Sequence, residues 1–232
     1  MTGETLAYAD GDVALNGLLY RPAAAPRAAI LVFPTIANVT ANIERKATAL
    51  ARDGYLALIA DFYGQPVADF AASRPLADAL RSDPLRYRAR LVAALAALRQ
   101  AAGPGLPAAA IGFCMGGQAA LELARSGADL RLAASFHGLL DTALPAEPGA
   151  IKARLLVCHG DADPMVPRSQ VSAFQQEMDT AGADWHLHVY AGVRHGFTDP
   201  DSDSRGMDAI RYNASADRQS WAALCGLFDE VF

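Results

Sequence analysis

Short runs of apolar residues alternate along the chain with longer stretches in which apolar residues recur at helical spacing. A continuous apolar run of five or six residues is typical of a strand that is buried on both faces of a sheet. Such runs predict strands at residues 28–33, 56–60, 108–113, 132–136 and 155–159, and a further strand is expected at 185–190. Strands that alternate with helices predict an α/β fold, in which helices flank both faces of a mostly parallel central sheet.

The helix signals lie between these runs. Asn42 is expected to cap a helix that ends at Asp53, and Pro84 to lie in the first turn of a long helix that Gly103 ends. Further helices are predicted at residues 116–125, 168–181 and 215–232. Residues 13–20 predict an early edge strand, and residues 61–82 predict an irregular segment with short helical pieces. Since no repeat or linker interrupts this pattern, we expect a single domain over residues 1–232.

Composition and charge exclude several classes of protein. Apolar residues make up 52% of the 232 residues and charged residues 19%, a balance that supports a large core and excludes disorder as the main state. The net charge of −5, without a basic block, argues against nucleic-acid binding. No apolar run is long enough to span a membrane, and residues 1–12 lack the pattern of a signal peptide. Three widely spaced cysteines without a CxxC motif predict no disulfide and no metal site. A cytoplasmic location is therefore expected.

One segment combines a strand, a reactive side chain and a helix. Gly112-Phe113-Cys114-Met115-Gly116-Gly117 has the spacing of a nucleophile elbow, with Cys114 in the position where serine is commoner. The flanking glycines leave room for the tight turn, and the N-terminus of the following helix favours a thiolate. Cys114 is therefore the candidate nucleophile. The alternative is that it packs at the strand end as a small apolar residue.

A nucleophilic cysteine needs a histidine that takes and returns its proton, and an acid that orients the histidine. The turn after strand 155–159 carries Asp161 and Asp163, and the loop after strand 185–190 carries His195. We favour Asp163 over Asp161 because Asp163 directly precedes the Pro-Met-Val-Pro turn. His137 follows strand 132–136 and could line the same pocket. The remaining histidines and cysteines are predicted to pack in the core or lie on the surface: His159, His186, His188, Cys158 and Cys225.

These segments resemble the dienelactone hydrolase family, a branch of the α/β-hydrolase fold with a Cys-Asp-His triad. The resemblance extends from about Asn16 to the last helix. It rests on the cysteine motif, on Asp163-Pro164-Met165-Val166-Pro167, on His195-Gly196-Phe197 and on Asp61-Phe62-Tyr63-Gly64. It implies that Cys114 is the nucleophile, His195 the base and Asp163 its orienter, and that the backbone N–H groups of Ile36 and Met115 form an oxyanion hole. The candidate substrate-binding residues are Thr35, His137 and Phe197.

The chain departs from the family pattern in two places. The best-known members carry a glutamate where this chain has Thr35, and that glutamate helps to convert the thiol into a thiolate. They also hold a substrate carboxylate with arginines, one of them shortly after the histidine, where this chain has no arginine before Arg205. The other arginine would come from the region of Arg74, Arg81 and Arg88.

The predicted activity is the cofactor-free hydrolysis of activated esters, enol lactones or thioesters through an acyl-cysteine. A thiolate that adds to an ordinary alkyl ester is itself the easier group to expel, so the substrate must supply a good leaving group or receive a proton from His195. A nucleotide cofactor is not expected, since the chain has neither a Rossmann nor a P-loop glycine motif. The expected partner is a small-molecule ester or lactone, and the protein is expected to be a monomer or a homodimer. Three alternatives stay open: a non-catalytic small-molecule binding protein, a redox-sensing thiol and an acyltransferase that uses the same triad.

Overall fold

Eight strands and six α-helices alternate along residues 2–232, the part of the chain that this computed structural model describes. The strands are β1 (Glu4–Asp10), β2 (Val13–Tyr20), β3 (Ala29–Phe33), β4 (Leu56–Ile59), β5 (Ala108–Phe113), β6 (Leu132–Phe136), β7 (Arg154–Gly160) and β8 (Trp185–Tyr190). The helices are α1 (Ala41–Arg52), α2 (Phe70–Arg81), α3 (Pro84–Ala102), α4 (Met115–Arg125), α5 (Arg168–Ala181) and α6 (Ala214–Val231). A short 3₁₀ helix, Pro200–Arg205, lies between β8 and α6.

The eight strands form one sheet in the order β1-β2-β4-β3-β5-β6-β7-β8. β1 and β2 form an antiparallel hairpin, β2 pairs antiparallel with β4, and all the other neighbours are parallel. The central strands β3, β4, β5 and β6 are buried along their whole length, as their continuous apolar runs predict. The predicted α/β fold with a mostly parallel sheet is confirmed.

Helices cover both faces of the sheet. On β3, Leu31 and Phe33 belong to the core that includes side chains of α3, α4 and α5, whereas Ile30 and Val32 belong to the core built with α1 and α6. Each fully buried side chain of this size contributes roughly 1.5–3 kcal/mol through the hydrophobic effect. Within residues 2–232, no helix has the length and apolar character needed to cross a membrane.

Three local predictions were wrong. Residues 13–20 are not an edge strand, because β1, which the sequence did not predict, pairs with their outer side. Thr40 rather than Asn42 caps α1: the Thr40 side chain accepts the N–H of Ile43, while Asn42 is buried inside the helix. Residues 61–82 are not irregular throughout, because they contain the 12-residue helix α2, capped by Asp69.

The parallel arrangement brings six loops to one edge of the sheet. The carboxyl ends of β3, β4, β5, β6, β7 and β8 all lie at this edge, since neighbouring parallel strands end on the same side. The segments that follow these strands carry the predicted site residues: Thr35, Ile36, Cys114, Met115, His137, Asp163, His195 and Phe197.

Candidate active site

Cys114 occupies a sharp turn between β5 and α4. Its backbone has φ 57° and ψ −120°, a left-handed conformation that is strained for a residue with a side chain. The turn requires its glycines: a Cβ on Gly112 would overlap the backbone of Gly116, and a Cβ on Gly116 would overlap the carbonyl oxygens of Phe33 and Pro34. The geometry is that of the nucleophile elbow predicted from the sequence.

His195 and Asp163 form a buried pair. The distance between His195 Nδ1 and Asp163 Oδ2 is 2.7 Å, and the two side chains are 3% and 0% exposed. The second carboxylate oxygen of Asp163 accepts the N–H of Met165 at 2.9 Å, which fixes the rotation of the carboxylate. Asp161, the alternative acid, instead forms an ion pair with Arg168 at the surface. Of the two candidate acids, Asp163 is therefore the one that contacts the His195 ring.

Cys114 and His195 shift each other's pKa. Burial alone would raise the pKa of the thiol, but the charge of His195 and the N–H groups of Met115 and Ile36 lower it below its ordinary value. Burial would lower the pKa of His195, but the thiolate charge and the Asp163 hydrogen bond raise it well above its ordinary value. Both shifts favour a thiolate–imidazolium pair. His195 Nε2 makes no hydrogen bond of standard geometry in this state, which is common before a substrate is bound.

The backbone N–H groups of Ile36 and Met115 flank the Cys114 sulfur, and each contributes to the lowered pKa of the thiol. Met115 is the first residue of α4, so its N–H is one of the groups that a helix leaves without an internal acceptor. Ile36 lies in the turn after β3. The two amides thus approach Cys114 from different strand ends, the arrangement that an oxyanion hole would require.

His137 contacts the backbone of Cys114. Its Nδ1 accepts the backbone N–H of Cys114 at 3.1 Å, and its Nε2 lies 2.9 Å from the Thr198 hydroxyl oxygen. Because Nδ1 accepts, the ring proton is on Nε2 and is donated to Thr198. Burial and the nearby His195 charge hold the pKa of His137 well below its ordinary value, so this ring stays neutral.

A cavity of about 320 Å³ opens above Cys114 and His195. Thr35, Ile36, Met115 and His137 also line it, as the sequence predicted for the pocket. Phe197 does not: it is fully buried and packs edge-on against the His137 ring, with centroids 5.1 Å apart. The prediction that Phe197 binds substrate is therefore wrong, because its side chain packs behind the cavity wall and does not face the cavity.

Arginines from two segments line the cavity. Arg74 and Arg81 come from α2, whereas Arg88 lies outside the cavity and pairs with Glu122. Arg205, the first arginine after His195 in the sequence, also lines the cavity, because the 3₁₀ helix turns the chain back toward the site. Its guanidinium pairs with Asp199 at 2.7 Å and lies over the Phe70 ring, so it joins the two sides of the cavity.

Sequence reasoning missed much of the cavity wall. Phe70 and Asp78 of α2, and Met207 and Ile210 after the 3₁₀ helix, contribute to the lining. Asp69 is a residue type that often caps helices and could have indicated the start of α2, but Pro75 within the segment argued against a helix there. No comparable signal marked residues 207–210.

The other cysteines and histidines lie outside the cavity. Cys158 is buried in the core as predicted, and burial raises its pKa to about 12. Cys225 is half-buried on α6 rather than fully in the core, and burial raises its pKa as well. His159 is buried, and His186 and His188 are half-exposed on β8. Among the residues the structure describes, no three His, Cys, Asp or Glu side chains are grouped as metal ligands.

A comparison with models of protein families finds the dienelactone hydrolase family over residues 15–232. The chain belongs to the dienelactone hydrolase family. The resemblance seen in the sequence is thereby confirmed, and the protein is a hydrolase that acts on esters or lactones. Solved members of the family share its fold, which identifies the mostly parallel sheet as an α/β-hydrolase sheet.

Two relatives span nearly the whole chain. A dienelactone hydrolase-like promiscuous phosphotriesterase, P91, from metagenomic libraries is 36% identical, with a TM-score of 0.92 over 100% of this chain and 98% of that protein. A probable 2-oxo-3-(5-oxofuran-2-ylidene)propanoate lactonase of a Bradyrhizobium species is 29% identical over 215 residues, 85% of this chain and 86% of that protein. An uncharacterized protein of Caenorhabditis elegans is 37% identical over 53% of this chain and 79% of its own length.

Proposed function

We propose that this dienelactone hydrolase family member hydrolyses activated esters and enol lactones through an acyl-cysteine intermediate. Cys114 is the nucleophile, His195 the general base and acid, and Asp163 the orienting carboxylate. The observation that carries the proposal is the buried 2.7 Å contact between Asp163 and His195 beside a cysteine whose pKa is lowered. A structural cysteine at a strand end would need neither the oriented histidine nor the depressed pKa.

In the first step the Cys114 thiolate attacks the carbonyl carbon of the substrate. The C=O electron pair moves onto the oxygen, and the N–H groups of Ile36 and Met115 stabilise the resulting oxyanion. The oxyanion then collapses, the bond to the leaving oxygen breaks, and the His195 imidazolium gives that oxygen a proton. In a lactone the leaving oxygen stays attached to the acyl group, so nothing departs at this stage.

The second step releases the acid. Neutral His195 takes a proton from water, and the hydroxide attacks the thioester carbon of the acyl-cysteine. The second oxyanion uses the same two N–H groups, and its collapse expels the Cys114 thiolate beside the imidazolium. Asp163 holds His195 Nδ1–H in both steps, so that Nε2 always faces the reacting atoms.

The choice of leaving group follows from the nucleophile. A thiolate is a better leaving group than an alkoxide, so the first adduct of an alkyl ester returns to substrate. An enolate or a phenolate leaves readily and reverses that preference. This supports enol lactones and aryl esters as the substrate class, in line with the lactone substrate named for the Bradyrhizobium relative.

The cavity favours a substrate with both apolar and anionic parts. Its lining combines apolar side chains such as Ile36 and Met115 with the guanidinium groups of Arg74 and Arg81, for which the described residues provide no ion-pair partner. Arg205 is already paired with Asp199. We therefore infer that a substrate carboxylate would be bound by the α2 arginines rather than by Arg205.

The test compares wild type, Cys114→Ala and the matched control Cys225→Ala on an activated aryl ester and an enol lactone. We expect Cys114→Ala to lose turnover and Cys225→Ala to keep it. Mass spectrometry of quenched wild-type reactions should find the acyl group on the peptide that contains Cys114. An aryl phosphotriester belongs in the same panel because of the activity named for P91. Ester turnover by Cys114→Ala at the wild-type rate would refute the acyl-cysteine route.

A further inference from the structure

Hydrogen bonds fix most of the polar groups in the turn that carries Ile36. The N–H of Ala37 donates to the Thr35 hydroxyl oxygen at 3.2 Å, and the N–H of Asn38 donates to the Thr35 carbonyl at 2.9 Å. Asn38 has φ 61°, a conformation that asparagine tolerates better than most residues. Within the described residues the N–H of Ile36 has no backbone acceptor. Within this turn, the Ile36 N–H is therefore the amide that faces Cys114 without a backbone acceptor.

Asp61 anchors this turn to the end of β4. Its buried carboxylate accepts the Asn38 side-chain amide at 2.9 Å, and the Asn38 side-chain oxygen accepts the N–H of Phe62 at 3.2 Å. The same carboxylate accepts the backbone N–H groups of Asn16 and Tyr63 at 3.0 and 2.9 Å. Asp61 thus fixes the Ile36 turn and the backbone of Tyr63 relative to each other.

The hydroxyl of Tyr63 contacts both residues whose N–H groups would form the oxyanion hole, Ile36 and Met115. It donates to the carbonyl oxygen of Ile36 at 2.9 Å and lies 3.7 Å from the Met115 sulfur. The peptide unit between Ile36 and Ala37 is consequently held at both ends, by Tyr63 at its carbonyl and by Thr35 at its N–H. The Ile36 N–H belongs to the preceding peptide unit, which shares the Ile36 Cα with this one, so a displacement of the held unit would also move the Ile36 N–H relative to Cys114.

We propose that Tyr63 is a positioning residue for the oxyanion hole: its hydroxyl holds the Ile36 turn so that the Ile36 N–H faces the developing oxyanion. The proposal rests on the acyl-cysteine function given above. Tyr63 acts through Ile36 and not on the substrate, since it does not line the cavity above Cys114 and its proton is engaged by the Ile36 carbonyl. Burial raises the pKa of Tyr63, so the hydroxyl remains a donor at every working pH.

The test separates oxyanion stabilisation from thiolate formation. Tyr63→Phe is compared with Tyr20→Phe, a matched loss of one hydroxyl that donates to Glu44 away from the site. Each variant is assayed for kcat and KM on an aryl ester and for the pH profile of Cys114 alkylation by iodoacetamide. Alkylation forms no oxyanion, so it reports the thiolate alone.

We expect kcat of Tyr63→Phe to fall roughly tenfold, a part of the 10²–10³-fold cost of deleting an oxyanion donor outright. KM should stay at its wild-type value, and alkylation should change far less than kcat, because His195 lowers the pKa of Cys114 more than the Ile36 N–H does. Tyr20→Phe should be unchanged throughout. A kcat within twofold of wild type would overturn the proposal. So would a parallel fall in alkylation, because a general disturbance of the site would slow both reactions.

A second variant covers the case in which Tyr63→Phe does not fold. Asn38→Gly keeps the positive φ but removes the amide that links the turn to Asp61, and the same pattern is expected: a lower kcat with alkylation far less affected. Unchanged kcat in this variant would overturn the proposal as well. Failure of the acyl-cysteine function has a different signature: wild-type enzyme alkylated at Cys114 would remain active.

Discussion

Replacing Asp163 by Asn should disable the site while leaving its shape intact. The amide can keep one oxygen on the Met165 N–H, but its NH₂ group would then face His195 Nδ1. A donor at that position forces Nδ1 to accept, so the ring proton moves to Nε2. His195 in that tautomer has no lone pair with which to take a proton from Cys114 or from water.

The size of the effect follows from the burial of the pair. Asp163 and His195 are almost completely buried, with Nδ1 and Oδ2 2.7 Å apart. Two unit charges roughly 4 Å apart attract each other by about 4 kcal/mol at an effective dielectric constant of about 20. Since about 1.4 kcal/mol corresponds to a tenfold change in rate, we expect kcat/KM of Asp163→Asn to fall roughly 10³-fold or more. Loss of the carboxylate also lowers the pKa of His195 and raises that of Cys114.

The chain supplies a matched control two residues away. Asp161→Asn removes a carboxylate from the same turn, but its partner Arg168 is on the surface, so kcat/KM should change less than twofold. The assay is aryl ester hydrolysis from pH 5 to 9, with the pH profile of iodoacetamide alkylation measured alongside. A loss below tenfold in Asp163→Asn, or an equal loss in Asp161→Asn, would refute this account of the orienting acid.

Two further predictions use other parts of the chain. The lowered pKa of Cys114 favours its thiolate, whereas the raised pKa of Cys225 disfavours ionisation of that thiol. Mass spectrometry after brief iodoacetamide treatment at pH 6–7 should therefore find label on Cys114 first, and equal labelling would contradict the ion pair. Gly116→Ala should lower the free energy of unfolding in urea by more than about 3 kcal/mol, because the new Cβ overlaps the Phe33 carbonyl oxygen. The control Gly226→Ala in α6 meets no atom within 4 Å and should raise the free energy of unfolding by about 0.5–1 kcal/mol. Similar stabilities for the two variants would contradict the close approach of α4 to β3.

The positions of the proposed triad residues were predictable because they follow from local sequence and one rule of sheet geometry. The glycine spacing around Cys114 defines a strand–turn–helix unit on its own. Asp163 and His195 each follow a recognisable strand. Since parallel strands share an edge, three strand ends in the right order were enough to predict that these residues meet.

The cavity wall was not predictable in the same way, because long-range contacts position it. α2 contains Pro75 and is preceded by an irregular stretch, so its sequence does not favour a helix; packing of its buried Ala77 and Leu80 in the core stabilises it. Arg205 reaches the cavity through its ion pair with Asp199 and its contact with the Phe70 ring. Neither partner can be identified from periodicity.

The first strand was likewise not predictable from local sequence. β1 is largely exposed, so it lacks the continuous apolar run that marks the buried strands. Its place in the sheet comes from the hairpin with β2, where Gly11 has φ 57°, and from the ion pair of Asp10 with the buried Arg90 of α3. A glycine turn is visible in the sequence, but the distant arginine partner is not.

Thr35 has a consequence for how the nucleophile is activated. Its hydroxyl is uncharged and accepts the Ala37 N–H, so it offers Cys114 neither a base nor a competing negative charge. The charged group that lowers the pKa of Cys114 is His195, whose ring is oriented by Asp163 before any substrate arrives. On the proposed mechanism His195 therefore favours the thiolate without help from a substrate. Alkylation of Cys114 by iodoacetamide should then be as fast without a ligand as with a non-hydrolysable carboxylate that does not block access to the thiol. A thiol that became reactive on carboxylate binding alone would show that a group other than His195 controls its ionisation.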